Sequence, residues 1–383
     1  MRIAIFTDSF WPQVNGVTTS ILNMVDTLSQ EGHHFLIFAP KPKKFPGDAP
    51  LLKNTQIIWL PAEPLPTYTD YLMAYLVPPS AKKIFKEFHA DLVHVHTPFF
   101  VAQKGIKYAQ RAHIPVIGTF HTLVSEFLDY VPIPKIKHNP IMKQLTWVYT
   151  QHVYGKCDVI TTPTKVLADE LHEHGFKNVH VLTNAIDYEL FSHGKNAEWG
   201  KKINLCYFGR VSFEKRIDVA LEALFLLRKK YTSVEMNIIG SGPAEKSLQT
   251  LSRELGLEKH VHFLGVKRGK ELARAVKQNH LLIAPSPMET QGLYVLEAMA
   301  AGLCVVGANA RAIPAALGKN ERGLLFEANN VEDCAQKIEK VMKNAQRRKK
   351  LATNAKKWVK HYSKKSIARE WMALYTKTRA HHP

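Results

Sequence analysis

The sequence has no apolar run near the roughly 20 residues needed to cross a bilayer. Its first apolar stretch ends at Asp8, too soon for a secretory signal. A membrane-spanning helix is thereby excluded, and a place in the cytosol is expected. Cysteine is scarce. Cys157, Cys206, Cys304 and Cys334 lie far apart, so neither a paired zinc motif nor a redox couple is present, and four buried, reduced thiols are expected. There is no GxGxxG fingerprint, which removes support for dinucleotide binding. No short repeat or low-complexity tract occurs, which excludes a solenoid. Acid is also in short supply, with 33 Asp and Glu against 52 Lys and Arg.

The resulting net charge of +19 attracts anions: nucleic acid, acidic headgroups or phosphorylated substrates. The excess is concentrated. Residues 343–383 hold 13 Lys or Arg and one acid, Glu370, while Lys135, Lys137 and Lys143 cluster with His138 in a Pro-rich stretch. No recognition-helix, zinc-finger or aromatic RNA-binding signature accompanies the charge, so nucleic acid is not an expected partner.

Composition is otherwise that of a folded protein, 45% hydrophobic and 22% charged, and the length suits two domains better than one core. Short apolar segments at 2–7, 34–39, 57–60, 91–96, 115–120 and 158–161 alternate with helical patterns at 16–30, 101–112 and 165–174. The pattern restarts at 203–208, with further strands at 234–239, 260–263, 280–284, 304–306 and 323–326. Such alternation predicts parallel sheets covered on both faces. Between the halves, the polar stretch 191–202 reads as a hinge, and beyond Asn330 the chain reads as helix to its end. The expected architecture is two doubly wound domains with a cleft between them.

Three segments carry residues suited to chemistry. The first loop, ending in Asn15-Gly16-Val17, falls where open α/β sheets bind ligands, and Gly16 would admit a ligand against the backbone of a helix start. Arg210 and Lys215 flank the turn after 203–208, where a guanidinium fork and a point charge suit a diphosphate. In the stretch 285–302, Glu289 precedes a helix that starts near Gly292, and Glu297 lies in its second turn. Eight helical residues rise about 12 Å, more than the roughly 5 to 9.5 Å that separates a glycosidase carboxyl pair. Two carboxylates strung along a polyhydroxylated ligand suit that spacing better, with the amides of Gly292, Leu293 and Tyr294 aimed at an anion.

On these residues, with Phe120-His121-Thr122, the chain resembles the retaining glycosyltransferases of family 4 over nearly its whole length. The resemblance implies the GT-B fold, two Rossmann-like domains facing across a cleft, with C-terminal helices packing back toward the first. It implies an acceptor-side domain over 1–190, a nucleotide-sugar domain over 191–360 and a returning helix over 361–383. Among members, the chain is most similar to enzymes that transfer glucose from UDP-glucose to diacylglycerol. Residues 12–20 and the segment after His121 carry that narrower likeness. A phosphoinositide, a polysaccharide or a small soluble alcohol are the alternative acceptors.

The resemblance assigns roles by position. Gly16, Arg210 and Lys215 would hold the donor diphosphate, Glu289 the sugar hydroxyls and Glu297 the ribose, while Val266 would lie near the base and His121 would face the sugar. His121, Arg210, Lys215 and Glu289 are the expected catalytic set. No metal or other cofactor is implied, although His94, His96 and His121 together are an imaginable zinc site. Phe127, Tyr130, Lys135, Lys137 and Lys143 would seat a lipid acceptor on an anionic membrane surface, placing the protein peripherally on the cytoplasmic face. Two departures from the family pattern stand out: Thr183-Asn184-Ala185, where relatives often have Pro-Asn-Gly, puts a positive-φ turn in doubt, and His280 replaces a common acidic residue.

Overall fold

A computed structural model of the chain describes residues 1–13, 15–45, 51–65, 68–121 and 139–382. They form two units, Met1–Ala185 with Lys364–Pro383, and Ile186–Ser363. The chain thus divides slightly before the expected 190 and slightly after the expected 360.

The first unit is built on a seven-stranded sheet of order β3-β2-β1-β6-β7-β8-β9, parallel throughout. Its strands are β1 (Arg2–Phe6), β2 (His34–Pro40), β3 (Thr55–Leu60), β6 (Leu92–Val95), β7 (Val116–Thr119), β8 (Val159–Thr162) and β9 (Val179–Val181). An antiparallel pair, β4 (Ala62–Leu65) and β5 (Tyr68–Ala74), stands apart. Helices α1 (Gly16–Gln30), α2 (Pro79–Phe88), α3 (Phe100–Ala112), α4 (Pro140–Tyr154) and α5 (Lys165–Glu173) complete the unit's first segment. The central strands are continuous runs of buried residues, as a sheet covered on both faces requires. Strand order reverses at β1, between β2 and β6, which opens a crevice beyond the carboxyl ends of β1 and β6.

The second unit repeats the plan with six parallel strands in the order β12-β11-β10-β13-β14-β15. These are β10 (Ile203–Phe208), β11 (Val234–Ile239), β12 (Val261–Phe263), β13 (Leu281–Ala284), β14 (Cys304–Ala308) and β15 (Leu324–Phe326). Its helices are α6 (Tyr188–Ser192), α7 (Ile217–Arg228), α8 (Glu245–Glu254), α9 (Gly269–Lys277), α10 (Leu293–Ala300), α11 (Ile313–Leu317), α12 (Val331–Lys343) and α13 (Ala345–Val359). Here the order reverses between β10 and β13, so the loops after those strands flank the crevice.

The last helix, α14 (Lys364–Ala380), belongs to the first unit. Trp371 and Tyr375 are buried with Ile21, Met24 and Val25 of α1 in one apolar cluster, and Lys364 pairs with Asp26 at 3.1 Å. Among the described residues no helix is long and apolar enough to cross a membrane.

One sequence expectation is corrected. Residues 191–202 are not a hinge but a strap within the second unit. Asn196 Nδ2 donates to the Ala301 carbonyl at 2.7 Å, and Lys277 Nζ, itself buried, donates to Asn196 Oδ1 at 3.0 Å. His280, in place of an acid, joins that strap by accepting from the Asn204 amide through Nδ1 and donating from Nε2 to the Glu198 carbonyl, each at 2.9 Å. The segment 183–185 takes no positive φ. Asn184 Oδ1 accepts from Ser20 Oγ at 2.6 Å, and the Ala185 carbonyl accepts from Asn23 at 2.9 Å.

Candidate active site

In the second unit, the loops after β10 and β11 lie backbone to backbone. Gly209 and Val211 donate to the carbonyls of Ile239 and Ser241, each at 2.9 Å. At Gly240 (φ 141°) any Cβ would fall 1.9 Å from the Gly209 oxygen, so only glycine fits. Tyr207 then fixes the turn by donating its hydroxyl to the Arg210 carbonyl at 2.8 Å. Arg210 emerges at this strand end and pairs with Glu214, whose Oε1 also accepts from Ser212 Oγ at 2.6 Å. Burial works against the Glu214 charge, but Arg210 and Ser212, with Lys215 beyond, hold its carboxyl below the ordinary value.

Lys215 reaches the other way, to Glu289 Oε1 at 2.8 Å, with only 19% and 8% of the two side chains exposed. Arg210 and Lys215 therefore leave one turn as two largely desolvated ion pairs, and Glu289 comes from the loop after β13. That loop ends at Gly292, which caps α10 in the left-handed region (φ 75°), a conformation that favours glycine. The first-turn amides of Leu293 and Tyr294 have no partner within the helix and form its positive end. The Tyr294 hydroxyl is buried beside Glu289. Burial first, and then the nearby Glu289 charge, drive this phenol well above its ordinary range.

Glu297 lies in the second turn of α10 and is only partly accessible. Its carboxyl is pushed up to about 8, chiefly by burial and further by Asp187, whose own side chain caps α6 by accepting from the Leu190 amide at 3.0 Å. Val266 is 42% exposed. It follows Gly265, whose carbonyl accepts from Gly240 at 2.8 Å and so keeps this segment beside the loop after β11.

The first unit holds the other residues. Gly16 is exposed at the first position of α1. Its neighbour Asn15 caps the helix by accepting from Thr18 at 2.9 Å and donates to Ser9 Oγ at 2.8 Å. Beneath the loop, Asp8 is buried and accepts from Val101 at 2.9 Å and Thr97 Oγ1 at 2.7 Å. Burial outweighs these bonds and lifts its carboxyl to about 6.

His121 follows β7 and is 6% exposed. Burial pushes it down to about 3, and burial holds His94 and His96 well below the ordinary value as well. His96 Nδ1 lies 3.0 Å from His121 Nε2. His94 spends both ring nitrogens elsewhere, on Tyr375 at 2.7 Å and Thr119 at 2.6 Å. It has no nitrogen left for the imagined zinc ion, and among the described residues no cluster suited to a metal occurs.

Arg210, Lys215, Glu289, Gly292, Leu293 and Tyr294 thus gather at one end of the second sheet, with Glu297 one turn further along α10. Gly16 and His121 share the carboxyl edge of the first sheet. Phe127, Tyr130, Lys135 and Lys137 lie outside the described residues. Lys143 is exposed on α4, which also leaves Ile141, Leu145 and Val148 exposed. The sequence reading missed Glu214, Asp187 and Asp8, and brought His96 to His121 only as an imagined zinc ligand, where the structure has a ring–ring hydrogen bond. Arg210 and Glu214 meet across a turn outside any α-helix, and the other contacts also arise only through folding.

Comparison with known proteins agrees with the two-unit fold. The sequence model of the family described as Glycosyltransferase Family 4 matches residues 14–190, and that of Glycosyl transferases group 1 matches residues 190–358. An alpha-monoglucosyldiacylglycerol synthase of Streptococcus pneumoniae is 29% identical over 80% of this chain and 70% of its own length. A protein of the same name from Acholeplasma laidlawii is 25% identical over 98% and 96%. A GDP-mannose-dependent alpha-mannosyltransferase of Corynebacterium glutamicum is 27% identical over 85% and 77%. Among solved structures, Anabaena Alr3699/HepE in complex with UDP superposes with a TM-score of 0.77 at 16% identity, covering 98% of this chain and all (100%) of the other.

Proposed function

The chain belongs to glycosyltransferase family 4 and has the GT-B fold, and from that premise we propose that it transfers glucose from UDP-glucose to a membrane lipid such as 1,2-diacylglycerol, with retention at the anomeric carbon. One observation carries the donor half: Arg210 and Lys215 leave a single strand-end turn, one paired to Glu214 and the other to Glu289, beside the positive end of α10. Supporting it, Alr3699/HepE was solved with UDP-glucose. The acceptor half rests on the names of the S. pneumoniae and A. laidlawii relatives and on the basic, apolar sequence from 122 to 143.

The mechanism follows the charge. As the sugar–phosphate bond breaks, positive charge grows on the anomeric carbon and negative charge on the departing diphosphate. Arg210, Lys215 and the Leu293 and Tyr294 amides neutralise the diphosphate, a device worth about 3 to 4 kcal/mol per preorganised donor. Glu289, which Lys215 now shares with the phosphates, accepts from sugar hydroxyls and fixes the ring. Glu297 meets the ribose, and Gly16 lets the phosphates approach the α1 amides. The acceptor hydroxyl enters on the leaving-group face and passes its proton to a phosphate oxygen, so no protein nucleophile is needed. Neither is a metal, and turnover unchanged by a strong chelator is the expected result.

A second donor, GDP-mannose, is favoured by the C. glutamicum relative. The test is release of UDP or GDP from a panel of nucleotide sugars, with and without diacylglycerol vesicles, followed by mass and anomeric analysis of the glycolipid. Lipid-dependent UDP release from UDP-glucose is expected. Release from GDP-mannose alone would overturn the donor assignment, and release indifferent to lipid would overturn the acceptor. Arg210→Ala is expected to lower kcat about a hundredfold or more in a protein that still folds; near-normal rates would remove Arg210 from the mechanism.

A further inference from the structure

His96 takes no part in the transfer described above, yet it is 1% exposed and directly against a residue that does. Its ring stacks on His121 with centroids 5.3 Å apart, and its Nδ1 stands 3.0 Å from His121 Nε2. Burial keeps both rings neutral, so this contact holds one proton.

Two arrangements of that proton are available. In the first, His96 donates from Nδ1 and keeps a bare lone pair on Nε2, and His121 carries its own proton on Nδ1. In the second, His121 donates from Nε2, and His96 must carry a proton on its Nε2. Among the described residues, His96 Nε2 is buried with no hydrogen-bond partner. His94 cannot relieve it, although the rings are 3.9 Å apart, because both His94 nitrogens are engaged by Tyr375 and Thr119. A buried N–H without an acceptor is the rarer defect, and an unsatisfied acceptor the more tolerable one. The orphaned nitrogen therefore selects the first arrangement.

We propose that His96 is a positioning residue: by donating from Nδ1 to His121 Nε2 it locks His121 as the Nδ1–H tautomer, so that His121 offers a hydrogen-bond donor to the hexose hydroxyl it meets. The tautomer follows from the geometry alone; its use on a hexose rests on the transfer reading. A partner that fixes which ring nitrogen is protonated decides whether a histidine donates or accepts at its other end.

The experiment combines a spectrum with kinetics. Full-length protein labelled with 15N-histidine is examined by long-range 1H–15N correlation at neutral pH, with His121→Asn assigning the His121 signals. Two variants follow. His96→Asn keeps an amide donor near the Nδ1 position, whereas His96→Phe keeps the ring shape without a donor. Wild type and His96→Asn are expected to show His121 protonated at Nδ1 and bare at Nε2. In His96→Phe the fixed tautomer is expected to be lost, with kcat down about tenfold, the order expected for loss of one oriented hydrogen bond, and with melting behaviour close to that of His96→Asn. An Nε2–H tautomer of His121 in wild type would overturn the proposal, as would equal turnover by the two variants. Absence of transfer from any nucleotide sugar by wild type would instead defeat the transfer reading, leaving the spectrum to decide the tautomer.

Discussion

Glu297 is a carboxyl that folding prefers to keep protonated. Its value rises from 4.5 to about 8 as burial and Asp187 disfavour the charge. The folded chain therefore binds more protons than the unfolded one between those values, so this group's contribution to stability is complete below 4.5 and falls as pH rises towards 8. Glu297→Gln is expected to remove that slope. Its melting temperature should match wild type near pH 4 and exceed it by a few degrees near pH 8, measured by thermal scans across that range. Parallel melting curves would show Glu297 ionised at no cost. Residues of this kind divide by how visible they are in the sequence. Arg210, Lys215, Glu289 and Glu297 could be picked out because their types and spacing near strand ends and a helix start carry chemistry by themselves. Asp187 could not, since it matters through Glu297, a neighbour distant in sequence that only folding supplies, and His96 entered the sequence reading only as an imagined zinc ligand.

Among the elements, the loops after β10 and β11 depend most on a single residue. Gly240→Ala is expected to lower unfolding free energy by several kcal/mol, the range for a steric clash at a special backbone angle, because the new Cβ cannot avoid the Gly209 carbonyl. Urea unfolding followed by tryptophan fluorescence reads it, and a loss below about 1 kcal/mol would mean that the loops separate easily. The buried strands were plain in the sequence as apolar runs, and the α10 start was plain from Gly292. The β4–β5 pair was not, for it is short and interrupted by Pro64. The polar strap at 191–202 also read as a hinge, because its hold on the second unit comes from Lys277 and His280, far along the chain.

For the whole molecule, two long-range features govern behaviour. The first is α14, which fills the core beside α1. Trp371→Ala is expected to cost the first unit about 3 to 5 kcal/mol, and hydrogen exchange should quicken across 1–185 while 186–363 stays protected. Uniform quickening would mean that the units unfold as one. The second is charge. Arg347, Lys349, Lys350 and Lys357 stand exposed on α13, within a net +19, so co-sedimentation with vesicles is expected to rise with anionic lipid and fall with added salt. Equal partition onto zwitterionic vesicles would remove the electrostatic part of the membrane reading.

Ile186 and Ser363, where the chain enters and leaves the second unit, form a parallel bridge, and the Ile186 amide donates to the Tyr362 carbonyl at 2.9 Å. The 186–363 stretch is therefore a closed insert whose two ends are already clasped together. Such a piece can be lifted out or exchanged for a homologous one by cutting at two adjacent points, as a cartridge is. Gene recombination at that clasp would give new pairings of the two units without redesigning either interior.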